Sequence, residues 1–142
     1  MNMRSSVLYV NENRKSLRLM ASILEDSGFM VQTATTPWEA IELIHTDSFA
    51  LALLNYQLPE MTGAQLAQEI RALDPALPIV LLSGQGSIAA GELVYVDAHI
   101  GRGSSIEDLT HAMRELMDKN RAAAGPFEIV SARTVPIAPG SR

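Results

Sequence analysis

Residues 49–54 read Phe-Ala-Leu-Ala-Leu-Leu, apolar at every position with no alternation. A strand with one wet face alternates apolar and polar side chains, so this run belongs to a strand covered on both faces, the situation of a parallel sheet between two layers of helices. It is far short of the roughly 18 residues a membrane span needs. Leu77-Pro-Ile-Val-Leu-Leu82 is a second run of the same kind, and Ser6-Val-Leu-Tyr-Val10 and Phe29-Met-Val-Gln-Thr-Ala34 are two more strand-like segments rich in β-branched or aromatic residues. A fifth strand is expected within Leu93–Ile100, with its start undefined by the pattern.

Helical segments alternate with these runs. Asn13 is placed to cap a helix that turns Leu17, Met20, Ala21 and Leu24 to one face, and Ser27-Gly28 stops it. Thr36-Pro37-Trp38-Glu39 supplies an N-cap, a proline at the first helical position and a glutamate at the third, the signature of a capping box, followed by Ala40, Ile41 and Ile44 inward. Thr62 begins a third helix with Leu66, Ile70 and Leu73 on its inner face, ended by Asp74-Pro75. Ser104 or Ser105 caps a last helix bearing Ile106, Leu109, Met113 and Leu116. The expected fold is therefore a three-layer α/β/α domain around a five-stranded parallel sheet over residues 1–120. Residues 121–142 hold three of the seven prolines and read as a C-terminal extension, docked or disordered, in which 127–130 and 134–137 are weakly strand-like.

Charge and composition narrow the chemistry. The formal balance is −5, but residues 1–120 hold 8 basic against 15 acidic side chains, a balance of −7, while 121–142 are at +2. An acidic body lacks the cations that neutralise phosphates, which argues against direct nucleic-acid binding. The absence of cysteine excludes disulfides, thiolate metal sites and cysteine nucleophiles. The start MNMRSSVLYVNE lacks the apolar core of a signal peptide, so a soluble cytoplasmic protein is expected.

In open parallel sheets the site lies at the carboxyl ends of the strands. The residues there are Asn11-Glu12, Thr35, Asn55, Ser83 and Arg102. No glycine pattern matches a P-loop or a dinucleotide fingerprint, Ser83 in Leu-Leu-Ser-Gly-Gln-Gly is not a nucleophile elbow, and His45, His99 and His111 are scattered, His45 and His111 on helices. Glu12 is the single carboxylate among the strand-end residues, enough for a weak Mg²⁺ contact at most, so no catalytic residue, metal or cofactor is expected.

Three segments carry a resemblance: VLYVNENRKSLRLMASILEDSGFMV, then LALLNYQLPEMTGAQLAQEIR with Leu58-Pro59, Met61 and Gly63 in step, then LPIVLLSGQG. Residues 5 to about 120 resemble a response-regulator receiver domain of two-component signalling. The resemblance implies flavodoxin-like topology. It also implies a site in which two acids after the first strand hold Mg²⁺, an Asp after the third takes the phosphoryl group, and a hydroxyl and a Lys after the fourth and fifth bind it. Charge matching is the logic of that chemistry. In this sequence the acid pair falls on Asn11 and Glu12, the phosphoacceptor on Asn55, the hydroxyl on Ser83 and the Lys on Arg102, followed by Gly103 where the family has Pro. The aromatic switch position falls on His99, and the span from Ser83 to Arg102 is shorter than usual, so the fourth helix is expected to be short or irregular.

An amide cannot give an acyl phosphate. The resemblance thus implies a phosphorylation-deficient receiver, a pseudo-receiver. It would work through a protein partner such as a kinase or other signalling protein, or by dimerising through the face of the fourth helix, fifth strand and fifth helix, with Tyr95, His99 and the outer side of 106–119 as candidate contacts. Within the site, a Glu12–Arg102 ion pair is expected, with Asn55 and Ser83 as hydrogen-bond partners. A second reading keeps the receiver but gives it another trigger: modification of Ser83, or a ligand in the former phosphate pocket beside Arg102. A third, a flavodoxin-like cofactor binder stacking a flavin on Trp38 and Tyr56, lacks a phosphate-cradling loop.

Overall fold

The computed structural model describes residues 6–84, 88–101 and 103–124. Five strands, β1 (Ser6–Val10), β2 (Met30–Ala34), β3 (Leu51–Asn55), β4 (Ile79–Leu82) and β5 (Ala98–Ile100), alternate with helices α1 (Arg14–Asp26), α2 (Pro37–Thr46), α3 (Gly63–Leu73) and α4 (Ile106–Ala124). All strand pairs are parallel, in the order β2-β1-β3-β4-β5. This is the α/β/α sandwich expected from the unalternated strands, with β1, the first four residues of β3 and the first three of β4 buried on both faces.

Strand alternation divides the core in two. Leu8, Val10, Ala52, Leu54, Ile79 and Leu81 pack under α2 and α3. Val7, Tyr9, Leu51, Leu53 and Val80 face the other way, against Leu17 and Leu24 of α1 and Leu109, Met113 and Met117 of α4. Each fully buried leucine here contributes about 1.5–3 kcal/mol through removal of apolar surface from water.

The caps follow the local sequence with two refinements. Asn13 accepts from Ser16 N at 2.9 Å, as expected for the start of α1. At α2, Thr36 accepts from Glu39 N, but the Glu39 carboxylate reaches past the cap to Thr35 N at 2.9 Å, so the reciprocal half of the box falls one residue early. α3 carries a full box, Thr62 with Gln65. Of the two serines offered for α4 it is Ser105 that caps, exchanging bonds with Asp108.

Three expectations are corrected. Leu73 is 43 % exposed rather than inward. The buried stripe of α3 runs through Gly63, Leu66, Ala67 and Ile70, and the next apolar side chain to enter the core is Leu77, beyond the helix. The strand at Phe29 begins only at Met30, because Phe29 N still bonds back to Leu24 O in the turn that closes α1. The third strand starts at Leu51 rather than Phe49 and runs one residue further, to Asn55. Between β4 and β5 the helical structure among the described residues is a single 3₁₀ turn, Ala90–Leu93, in keeping with the shortened segment.

Gly63 sets the distance between α3 and the sheet. A Cβ at that position would lie 2.3 Å from Asn55 O and 2.9 Å from Leu81 Cδ1, and Gly63 N donates to Tyr56 O at 2.7 Å. Only a residue without a side chain lets the helix start this close to the end of β3. The Leu-Pro-x-Met-x-Gly motif is thus the loop that delivers α3 onto Asn55.

Candidate functional site

Strand order reverses between β1 and β3, so the carboxyl ends of these two strands flank the crevice where open α/β sheets place their ligands. Asn11 follows β1 and is buried. Two residues after Tyr9, it shares that residue's side of the sheet. Its Nδ2 donates to Tyr9 Oη at 2.9 Å, its Oδ1 accepts from Asn13 N at 3.0 Å, and its backbone N donates to Ala34 O. Both ends of the amide are therefore committed inside the protein. Burial raises the pKa of the Tyr9 phenol above its ordinary value, and the bond from Asn11 offsets this in part. Glu12, next in sequence, is exposed.

Asn55 closes β3, half-buried, and its Nδ2 donates to Gln57 O at 2.9 Å within the same loop. Tyr56 N continues the ladder to Leu82 O, and the Tyr56 hydroxyl donates to Glu92 Oε2 of the 3₁₀ turn at 2.5 Å. That hydrogen bond to a carboxylate is the main cause raising the Tyr56 pKa, with burial and the charge of Glu92 behind it. Ser83, just past β4, is buried, and its N donates to Ile100 O at 3.1 Å.

His99 pairs with Leu81 in the sheet register. Its neighbours Ala98 and Ile100 pack toward α1 and α4, so alternation sends His99 to the opposite side. Its ring Nε2 is buried with no hydrogen-bond partner. Arg102 lies outside the described residues, and the expected Glu12–Arg102 ion pair with it. A cleft of about 300 Å³ opens between the ends of β3–β5 and the start of α4, with Asn55 and Ser83 on its wall. The structure thus brings Asn55 and Ser83 to one cavity.

Several contacts escaped the sequence reading. Arg71, at the end of α3, donates to Pro75 O, Leu77 O and Tyr95 O at 2.8–3.0 Å and to Asp97 Oδ2 at 2.8 Å, while the same Asp97 oxygen accepts from Ile79 N. One guanidinium therefore fastens α3 to the approaches of β4 and β5. Tyr95, a candidate surface contact, is half-buried against the core. Arg114 of α4 lies 4.9 Å over the Phe29 ring and donates to Ser27 O. Tyr9 gives a partial signal, an aromatic in an aliphatic strand two residues before Asn11, though the bond between the two is not readable from it. Arg71 had none, because its partners are up to 26 residues away. Trp38 and Tyr56, the flavin-stacking candidates, instead give their polar hydrogens to Glu60 and Glu92.

Fold and strand-end loops together define a doubly wound signalling-type α/β domain. A family model described as the response regulator receiver domain matches residues 7–100, and the chain belongs to that family. The transcriptional regulatory protein TctD of Salmonella typhimurium is 26 % identical over 117 residues, covering 80 % of this chain and 52 % of TctD. The autoinducer 1 sensor kinase/phosphatase LuxN of Vibrio harveyi is 26 % identical over 125 residues, covering 87 % of this chain and 15 % of LuxN. Among solved structures, the CheY-like receiver domain protein of Methanospirillum hungatei superposes with a TM-score of 0.76 at 27 % identity, covering 84 % of this chain and 98 % of that one. The chain spans about half the length of TctD and a smaller share of LuxN. It is a receiver module of two-component signalling, a class that works by contact with kinases and other signalling proteins. No helix among the described residues is long and apolar enough to cross a membrane.

Proposed function

We propose that this receiver signals without phosphotransfer, as a pseudo-receiver whose output is contact with a protein partner. The observation that carries the reading is Asn55 at the end of β3. It stands where the receiver family has its phosphoacceptor Asp, and its amide nitrogen is engaged with Gln57 O. An amide is neutral and poorly nucleophilic, so no acyl phosphate forms there.

The divalent cation of receiver chemistry does not fit the donors present. Mg²⁺ takes near-octahedral oxygen ligands with one or two carboxylates. Of the three family acid positions only Glu12 keeps a carboxylate, and it is exposed, while both ends of the Asn11 amide are spent on Tyr9 and Asn13. The site's residues therefore act as structure. Asn11 ties the β1–α1 turn to Tyr9, and Asn55 holds the loop that seats α3.

In this reading residues 1–120 form the signalling body and 121–142 an extension, the protein acts in the cytoplasm, and its partner is a kinase or another signalling protein. A second copy of the chain is an alternative partner, through the face formed by the 3₁₀ turn, β5 and α4. Val94, 68 % exposed beside that turn, supports an apolar contact there. Incubation with acetyl phosphate and Mg²⁺, followed by intact-mass analysis, tests the central claim. No phosphoryl adduct is expected, and an adduct mapped to position 55 refutes it. Light scattering reads the dimer.

A further inference from the structure

At the foot of the sheet a groove of about 180 Å³ opens between α4 and the segments that lead into β4 and β5. Ala76 and Pro78 line it from the sheet side, Leu116, Lys119 and Asn120 from α4, and Asp97 completes the described lining. Pro78 immediately precedes β4 and Asp97 immediately precedes β5, so the groove lies at the opposite end of the sheet from Asn55. A cavity of about 150 Å³ takes up a benzene ring, so there is room here for one aromatic side chain. Leu116 is half-buried, and Lys119 adds the apolar stem of its side chain. The Lys119 ammonium is exposed and has no ion pair among the described residues.

The chain itself leads back to this groove. The described part of α4 ends at Ala124, one turn beyond Asn120, and residues 125–142 lie outside the described residues. Their sequence begins Gly-Pro-Phe-Glu-Ile-Val, and Phe127 is the single aromatic residue of 121–142. A glycine just past a helix suits the left-handed turn that sends the chain back along the last helical turn, and a following proline cannot prolong the helix. From Ala124 to Phe127 the chain spans at most about 10 Å, while Asn120 and Leu116 stand about 6 Å and about 12 Å back along the helix. The Phe127 ring is thus within reach of the groove. So short a spacer gives an effective concentration in the millimolar range, at which a modest contact suffices.

We propose that Phe127 of this chain's own extension occupies the groove, with its ring against Ala76, Pro78 and Leu116. Glu128, next in sequence, then stands beside Lys119 and complements its charge. The extension as a whole is at +2 against −7 for residues 1–120, so the overall field draws it to the body. Val135 and Ile137 are weaker candidates, because they reach the groove only by closing a loop of about ten residues or more. The contact pins the last turns of α4 to the approaches of β4 and β5, which Arg71 holds from the α3 side. It is independent of the loss of phosphotransfer: an empty groove leaves the acetyl phosphate result untouched.

The test is nuclear magnetic resonance on the full chain. Nuclear Overhauser contacts are expected from the Phe127 ring protons to the methyl groups of Ala76 and Leu116, unchanged on dilution. Phe127→Ala should move the Ala76, Asp97 and Leu116 amide signals. It should also speed hydrogen exchange of the Lys119 and Asn120 amides about tenfold, the equivalent of losing a partly buried ring. Ala76→Phe, at an exposed position, fills the groove from its own wall and should abolish the contacts between Phe127 and Leu116. The proposal is overturned if the Phe127 ring contacts neither methyl-bearing residue, if Phe127→Ala leaves those amide signals in place, or if Ala76→Phe leaves the Phe127–Leu116 contacts intact. Contacts seen only between differently labelled chains in a mixed sample overturn it as well, since they assign the groove to a second copy.

Discussion

Replacing Gly63 by alanine is the sharpest test of how this receiver is built. The added Cβ would sit 2.3 Å from Asn55 O, about 1 Å inside any tolerable contact, and 2.9 Å from Leu81 Cδ1. The leucine can rotate away, but the carbonyl cannot, because it belongs to the last residue of β3. Nor can α3 retreat freely, since Gly63 N is held by Tyr56 O at 2.7 Å and Thr62 and Gln65 form the capping box immediately around it. The strain must be taken by the backbone, at a cost of about 1–3 kcal/mol for overpacking, of which alanine's better helix propensity returns well under 1 kcal/mol at this first helical position. For a domain of this size that is a fall in Tm of roughly 5–10 °C. Urea unfolding followed by circular dichroism gives the free energy directly. Gly91→Ala is the control, because nothing lies within 4 Å of a Cβ there. If Gly63→Ala unfolds within 0.5 kcal/mol of the parent, to take a margin typical of neutral surface changes, the close-approach argument is wrong.

Other expectations concern the contacts around the site. Arg71→Met strips donors from three carbonyls and from Asp97, and should cost about 2 kcal/mol, whereas Asp97→Asn keeps the acceptor for Ile79 N and should cost under about 1 kcal/mol; equal losses in urea melts would contradict the clamp. Thr62→Ala should lose about 1 kcal/mol and Thr62→Ser almost nothing, a pair that separates capping from packing. The pKa of both Tyr9 and Tyr56 is raised above 10.0 in the folded protein. Their contribution is therefore fully present below about pH 10, the unfolded value, and is lost as pH climbs through the folded values. The urea midpoint should hold from about pH 8 to 9 and fall above about pH 10, less steeply in Tyr56→Phe; a midpoint that stays level through about pH 11 would count against both phenols.

Much of this was legible in the sequence because it is local. Unalternated Phe49–Leu54 announced a covered parallel strand, and Asn13, Thr36, Thr62 and the pair Ser104-Ser105 announced helix starts, since a cap acts within three or four residues. What stayed hidden depends on residues distant in sequence. The Arg71 clamp joins α3 to Tyr95 and Asp97, Arg114 stacks on Phe29 from the far end of the chain, and the exposure of Leu73 follows from where Leu77 enters the core. The positions of Asn11 and Asn55 could be placed by motif, yet their partners could not. That Asn11 pairs with Tyr9 follows only once both are known to share one side of β1. β5, three residues long, had too little pattern to fix its start.

The one tryptophan of the chain is worth returning to. Trp38 begins α2, is 57 % exposed, and gives its indole hydrogen to Glu60, a loop residue with φ of +71° just ahead of α3. The two ends of that bond belong to different connections, one after β2 and one after β3. Anything that moves the loop behind Asn55 must break it or drag it, and the indole will register the change in its emission. The protein thus carries its own optical gauge of that loop, readable without a label and uncrowded by any second tryptophan, for partner binding and unfolding alike.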